Sequence, residues 1–170
     1  ISQYQHSEVS LWGVSPQSVH FFKELADTYQ VKLMIPEWQS GYTYLNSRQS
    51  ACDVLLAIIE EIPEIPEISE SIVPQFYTSL EEIKKAVDTS SEKFLAKAPD
   101  SSSGRGLLWL PVTGLTRTEE QILHGILKKQ GSVSVEKVLN KQSDFAMEFV
   151  CDGNGSIEFA GYSLFYTNNK

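Results

Sequence analysis

The chain of 170 residues contains little cysteine and little histidine, and each shortage narrows the possible chemistry. Its two cysteines, Cys52 and Cys151, have no second Cys or His at the spacing of zinc ligands, which argues against a zinc site. Two buried, reduced thiols are expected instead. The histidines, His6, His20 and His124, belong to no catalytic motif, so surface or packing roles are expected for them.

The charge balance and the hydrophobicity indicate a soluble globular protein. Lys and Arg number 14 against 22 Asp and Glu, and the net charge of −8 argues against a nucleic-acid surface. No hydrophobic run reaches the length of a membrane span, and no secretion signal is recognised. We therefore expect a cytoplasmic protein with neither nucleic-acid nor membrane partners. A small anionic ligand remains compatible with an acidic chain, because a local pocket can be cationic.

The first part of the chain alternates helical and strand patterns. Ser15 and Pro16 fit the cap and first turn of a helix in "SPQSVHFFKELADTY", and "VKLMIP" follows as a short strand. "EWQSGYTYLN" is typical of a loop. "SRQSACDVLLAIIEEI" predicts a second helix whose inward face carries Ala51, Val54, Leu55, Ile58 and Ile59. This order of elements indicates part of an α/β layer.

After a proline-rich connector, "IPEIPEISES", the patterns change to shorter helices and strands. "SLEEIKKAVDTS" predicts a helix with a capping box of Ser79 and Glu82. "KFLAKAP" predicts a strand. "TRTEEQILHGILKKQG" predicts a helix that Thr116 and Glu119 cap and Gly131 ends. "SVSVEKVL" alternates like a strand, and "DFAMEFVCDGNGSIEFAGYSLFYT" predicts two strands around a glycine turn.

A glycine-rich loop lies inside "KAPDSSSGRGLLWLP", directly after the strand that carries Lys97. Backbone N–H groups exposed by glycine can surround an anion such as phosphate. The Walker and Rossmann phosphate motifs both place the loop at the start of a helix. Here Gly106 is followed by "LLWLPV", which is strand-like, so the loop is predicted to join two antiparallel strands. A serine–glycine hairpin tip without a ligand is the alternative interpretation.

The ordered set of elements resembles the ATP-grasp superfamily from about Ile72 to the end of the chain. The specific part is "KAPDSSSGRG" with "VSVEKVL" downstream, and "LNSRQSACDVLLAIIEEI" followed by "IVPQFYTSLEEI" looks like the family's preceding segment. The resemblance implies a fold that passes from α/β to α+β. Residues 1–71 would be the remnant of a leading α/β domain, 72–143 the nucleotide-binding subdomain, and 144–170 the opening β-hairpin of a second subdomain.

The resemblance also implies roles for individual residues. Lys97 matches the strand lysine that contacts the nucleotide phosphates, although a surface lysine is the alternative. Arg48 stands where the family has a basic phosphate contact, with Arg in place of the usual Lys, and a residue at the start of a surface helix is the alternative. Asp144 would meet the ribose or the second subdomain. The loop over the phosphates would be Ser101, Ser102, Ser103, Gly104, Arg105 and Gly106, and the adenine would be read by Glu136, Lys137 and Leu139.

The function implied by the resemblance is that of an ATP-dependent ligase with ATP and Mg²⁺ as cofactors. Such an enzyme activates a carboxylate as an acylphosphate, which an amine or a thiol then attacks. The family's metal ligands lie on later strands, so the chain is expected to be a truncated core fragment, inactive alone and without a metal site. The acid, the acceptor, the catalytic residues and the oligomeric state are left open. The alternative function is a non-catalytic α/β interaction domain with a Ser/Gly hairpin tip.

Overall fold

A computed structural model of the chain describes residues 2–63, 69–88, 90–102, 104–152 and 154–166. These residues form five α-helices and eight β-strands, so the mixed α and β character predicted from the sequence is confirmed. The chain divides into two compact units, Ile1–Lys137 and Val138–Lys170. Within the described ranges, no helix is both long enough and apolar enough to cross a membrane.

The first unit opens with a small parallel β–α–β arrangement. Strand β1 (Ser7–Glu8) pairs in parallel with β2 (Leu33–Met34), and helix α1 (Pro16–Tyr29) connects them. The predicted cap of α1 is confirmed, because the Ser15 hydroxyl accepts a hydrogen bond from the Ser18 N–H over 3.1 Å. Strand β1 was not predicted, since its segment is polar and shows no apolar alternation.

Helices α2 (Gly41–Leu45) and α3 (Arg48–Glu61) follow, and α2 occupies a segment that the sequence predicts as a loop. The predicted inward face of α3 is wrong for Ala51, Val54 and Ile58, whereas Leu55 and Ile59 are half-buried. The buried residues of this helix are Ser50 and Cys52, whereas Val54 and Ile58 are exposed. Arg48 fixes the orientation: it contacts the loop after β4, and Cys52, one turn later, lies on the same side of the helix.

The rest of the first unit is a four-stranded antiparallel sheet covered on one face by two helices. The sheet order is β3–β6–β4–β5, and helices α4 (Leu80–Asp88) and α5 (Arg117–Gln130) pack on it. The strands are β3 (Gln75–Tyr77), β4 (Phe94–Lys97), β5 (Leu107–Leu110) and β6 (Val133–Lys137). The core between helices and sheet consists of Ile83, Val87, Ala96, Leu110, Leu123, Val133 and Val135. Strand β3 was not predicted.

Both helices of this layer begin as the sequence predicts, and α5 also ends as predicted. In α4, Ser79 and Glu82 form the reciprocal bonds of a capping box, with the Glu82 N–H donating to the Ser79 hydroxyl over 3.3 Å. In α5, the Thr116 N–H donates to the Glu119 carboxylate over 2.6 Å. Gly131 ends α5 in the left-handed conformation, at φ +80°, where a residue without Cβ is favoured.

The second unit is the predicted β-hairpin. Strand β7 (Asp144–Cys151) pairs antiparallel with β8 (Ile157–Phe165), with a register shift between Glu148 and Phe149. At the turn, one carboxylate oxygen of Asp152 accepts hydrogen bonds from two backbone N–H groups. Cys151 is exposed here, so the expectation of a buried thiol holds for Cys52 and is wrong for Cys151. The reason is that neither face of this two-stranded ribbon is covered within the unit.

Candidate functional site

Antiparallel pairing gathers several of the predicted site residues on one face of the four-stranded sheet. Lys97 is paired with Leu107 and Ser134, and two residues earlier Leu95 is paired with Trp109 and Glu136. Paired residues share a face, so this face, which we call the lysine face, carries Leu95, Lys97, Leu107, Trp109, Ser134 and Glu136. The helices cover the opposite face. Because Trp109 is 47% and Leu107 39% exposed, the lysine face presents apolar surface beside a cation.

The glycine-rich loop joins β4 to β5 as the sequence predicts, and the helix that a Walker motif requires does not follow Gly106. The Ala98 N–H donates to the carbonyl of Gly106 over 2.9 Å, which extends the ladder beyond the two strands. The Ser101 hydroxyl donates to the carbonyl of Ala98 over 2.9 Å and closes the first turn. Gly104 and Gly106 take φ values of +73° and +69°, a conformation that side chains other than glycine rarely adopt.

Two helices hold this loop at its start. From α3, the Arg48 guanidinium donates to the carbonyls of Ala98 over 3.2 Å and Ser101 over 3.0 Å. From the end of α5, the side-chain oxygen of Gln130 accepts from the Asp100 N–H over 3.0 Å. Ala98 and Pro99 are buried under these contacts. Arg48 was predicted as a phosphate contact, and the structure places its guanidinium on the loop backbone.

Lys97 forms an ion pair with Glu136 across two neighbouring strands. The Lys97 Nζ contacts a carboxylate oxygen of Glu136, and the two side chains are only 19% and 22% exposed. Strands β4 and β6 each have a neighbour on both sides, so both charges stand on rigid elements. A partly buried pair is screened less by salt than a surface pair. The predicted phosphate lysine and the predicted adenine glutamate are therefore in contact with each other.

Two neutral groups complete the surroundings of this pair. Ser134, opposite Lys97, is fully buried, and its hydroxyl has no hydrogen-bond partner among the residues that the structure describes. Cys52 of α3 lies close enough to Lys97 and Glu136 for their charges to affect the pKa of its thiol. Burial raises the pKa of the Cys52 thiol, and the carboxylates of Asp53 and Glu136 raise it further. The thiol therefore stays protonated near neutral pH and is a poor nucleophile.

The other predicted residues lie at the edges of this site or outside it. The ammonium of Lys137 contacts the Glu92 carboxylate over 3.1 Å, and Arg105 is exposed at the loop tip. Leu139 and Asp144 belong to the second unit, where Asp144 pairs with Lys141 over 2.8 Å. Ser102 is exposed, and Ser103 lies outside the described residues.

Sequence reasoning missed two residues that shape the site. Ser134 has a visible signal, because "SVSVEK" alternates and puts Ser134 on the same face as Glu136. Gln130 has none, because its contact with Asp100 joins the end of a helix to a loop that is distant in sequence.

Metal ligands do not converge in the described part of the chain. No group of three or more His, Cys, Asp or Glu side chains there is arranged to hold a metal ion. Comparison with protein-family models, curated proteins and solved structures finds no match for the chain.

Proposed function

We propose that the chain binds ATP on the lysine face and beneath the glycine-rich loop, as the nucleotide-binding part of an ATP-grasp ligase. The observation that carries this proposal is the position of Lys97. It is a strand lysine at the foot of a Ser/Gly loop, beside exposed apolar side chains on the same face. An ammonium on a rigid strand gives a strong, charge-assisted contact with phosphate.

The order of groups along the sheet suits an elongated ligand with an anionic end and a flat apolar end. The loop and Lys97 lie at one end of β4, whereas Lys137 at the end of β6 is paired with Phe94 at the other. Three residues of strand separate these levels, which is about 10 Å. Trp109, which is paired with Leu95, offers apolar surface between these levels, and Leu107 offers it at the level of Lys97. Phosphates would bind at Lys97 and the loop, where they would meet Glu136, and the base would lie beyond Trp109 towards the backbone of Lys137.

When bound, ATP would supply the phosphoryl group that activates a carboxylate as an acylphosphate, for attack by an amine or a thiol. The chain's own contribution would be to neutralise phosphate charge through Lys97 and to exclude water with the loop. We assign no step to a metal ion, because the described residues offer no set of ligands for one.

A non-catalytic interaction domain is the second candidate, and one observation favours it. Lys97 already has a carboxylate partner, and the loop is already anchored by Arg48 and Gln130, as in a purely structural hairpin. The two candidates differ in whether ATP binds.

The deciding experiment is titration of the 170-residue chain with a fluorescent ATP analogue, followed by displacement with unlabelled ATP. The proposed function expects saturable binding that unlabelled ATP reverses. Fluorescence that does not saturate, or that ATP does not displace, would favour the interaction domain.

A further inference from the structure

The strongest unexplained feature of the site is that its cation is already neutralised by its own anion. The Lys97 ammonium contacts the Glu136 carboxylate, and about four-fifths of each side chain is shielded from water. Both residues lie on strands that are paired with another strand on each side, so the backbone keeps the two charged side chains next to each other.

An incoming anion therefore meets a pair and not a free cation. To reach the Lys97 ammonium it must replace the carboxylate, or share the ammonium with it. Sharing brings two anions together in a partly buried place where their repulsion is weakly screened. Replacement leaves the Glu136 carboxylate to find solvent or another donor, and leaving a charge unpaired is unfavourable. Sharing is penalised more strongly as the charge of the ligand rises, so only replacement can favour a polyphosphate. One of its phosphates takes the place of the carboxylate while the others contact the glycine-rich loop, and these further contacts offset the cost of the unpaired Glu136.

The geometry points to Glu136 as a specificity-determining residue that competes with phosphate for Lys97. This inference rests on the proposed nucleotide site and names what the site selects. Polyphosphate chains displace the Glu136 carboxylate from Lys97 and bind, whereas an anion of low charge, such as orthophosphate, does not displace it and does not bind. Glu136 thus weakens anion binding in general and gives the site its preference for triphosphates.

A neighbouring ion pair provides the matched control. Lys137 of β6 and Glu92, which lies two residues before β4, form a pair over 3.1 Å, but both side chains are about half exposed. Glu92→Gln removes one negative charge from the same unit without changing the partner of Lys97. Any general effect of net charge on anion binding would appear in both E92Q and E136Q.

The test is calorimetric titration of the wild-type chain, E136Q, E92Q and the double variant K97M/E136Q with tripolyphosphate, orthophosphate and ATP. We expect E136Q to bind tripolyphosphate about tenfold more tightly than wild type, the equivalent of ~1.4 kcal/mol. Binding of orthophosphate should become detectable only in E136Q, so that the ratio of the affinities for tripolyphosphate and orthophosphate falls. E92Q should match wild type, and K97M/E136Q should lose the gain.

The outcomes separate this inference from the proposed function. If wild type binds ATP and E136Q binds tripolyphosphate no more tightly, the inference fails and the nucleotide site stands. If ATP binds to none of the chains but E136Q still binds tripolyphosphate more tightly than wild type, Glu136 does compete with phosphate and the proposed nucleotide function is wrong. If no variant binds any of the three ligands, both are wrong. Glu136→Asp keeps the charge and should resemble wild type, which distinguishes loss of charge from a folding defect that circular dichroism would also detect.

Discussion

The Arg48 guanidinium donates a hydrogen bond to the backbone carbonyl of Ser101 over 3.0 Å and thereby joins helix α3 to the glycine-rich loop. A second bond from the same guanidinium reaches the carbonyl of Ala98 over 3.2 Å. The planar fork of arginine serves both acceptors at once, which a lysine ammonium in its place would do poorly. Arg48 is in this respect a positioning residue for the loop.

Loss of the two hydrogen bonds from Arg48 should make the glycine-rich loop more accessible to protease. In Arg48→Ala we expect trypsin to cleave after Arg105 severalfold faster than in wild type, because local opening of the loop becomes easier. Arg48→Lys should give an intermediate rate. Cleavage after Lys141 in the second unit serves as the internal reference. Equal rates after Arg105 in all three chains would show that Arg48 does not hold the loop.

Gly106 should tolerate alanine much less well than Gly104. Both have positive φ, so both substitutions introduce backbone strain of about 1–3 kcal/mol. At Gly106 the new Cβ would also stand 2.9 Å from the Cβ of Ala98 and from the Ser101 hydroxyl, whereas at Gly104 it would meet open space. Urea unfolding should therefore rank wild type above Gly104→Ala and Gly104→Ala above Gly106→Ala. A reversed order of the two variants would contradict the described loop.

Lys97→Met should weaken ATP binding and also lower the free energy of unfolding, because it leaves the Glu136 carboxylate without its partner. The substitution removes one charged hydrogen bond, worth roughly 1.5–3 kcal/mol, so affinity should fall on the order of 10–100-fold. Methionine keeps an aliphatic stem on the lysine face. The control is Lys93→Met, which removes the same charge from an exposed position just before β4. An affinity unchanged by Lys97→Met would place this residue outside the nucleotide site.

The parts of the fold that were predictable are those determined locally. The caps of α4 and α5, the stop at Gly131 and the β4–loop–β5 hairpin depend on residues within a few positions of one another, and all are confirmed. Strands β1 and β3 have only two and three residues, too few to show a period. Their existence depends on pairing with distant strands, which the sequence does not display.

The candidate site was predicted as a set of residues but not as an arrangement. The strand assignments of Lys97 and Glu136 are confirmed, yet the contact between them needs the sheet order, which places β6 next to β4. The buried face of α3 also could not be predicted from the sequence alone. Its apolar residues surround the helix, so periodicity could not select the face that Arg48 turns towards the loop.

Two buried serines should respond oppositely to alanine. Ser134→Ala should leave the free energy of unfolding unchanged or raise it by about 1 kcal/mol, because its hydroxyl has no partner among the described residues. Ser50→Ala is the matched control: the Ser50 hydroxyl contacts the carbonyls of Leu45 over 3.2 Å and Ser47 over 2.9 Å, and its removal should lower stability by about 1 kcal/mol. Marked destabilisation by Ser134→Ala would reveal a partner for that hydroxyl.

The capping carboxylate of Glu82 should make part of the stability depend on pH. Hydrogen bonds from the Thr78 N–H, and then from Ser79, lower the pKa of Glu82 below its ordinary value of 4.5. The folded chain then binds this proton less readily than the unfolded chain. The carboxylate's contribution is therefore complete above pH 4.5 and is lost as the pH falls through the folded pKa.

Glu82→Gln should consequently lower the free energy of unfolding at pH 7 and have progressively less effect as the solution is acidified. Once Glu82 is protonated in both states, wild type and variant carry the same charge at this position. Glu81→Gln is the control, since it removes a carboxylate from the same first turn of α4 without breaking the capping box. Urea unfolding from pH 7 to pH 3 measures both differences. A Glu82→Gln effect that is constant over this range would show that the carboxylate is not held by the Thr78 and Ser79 amides.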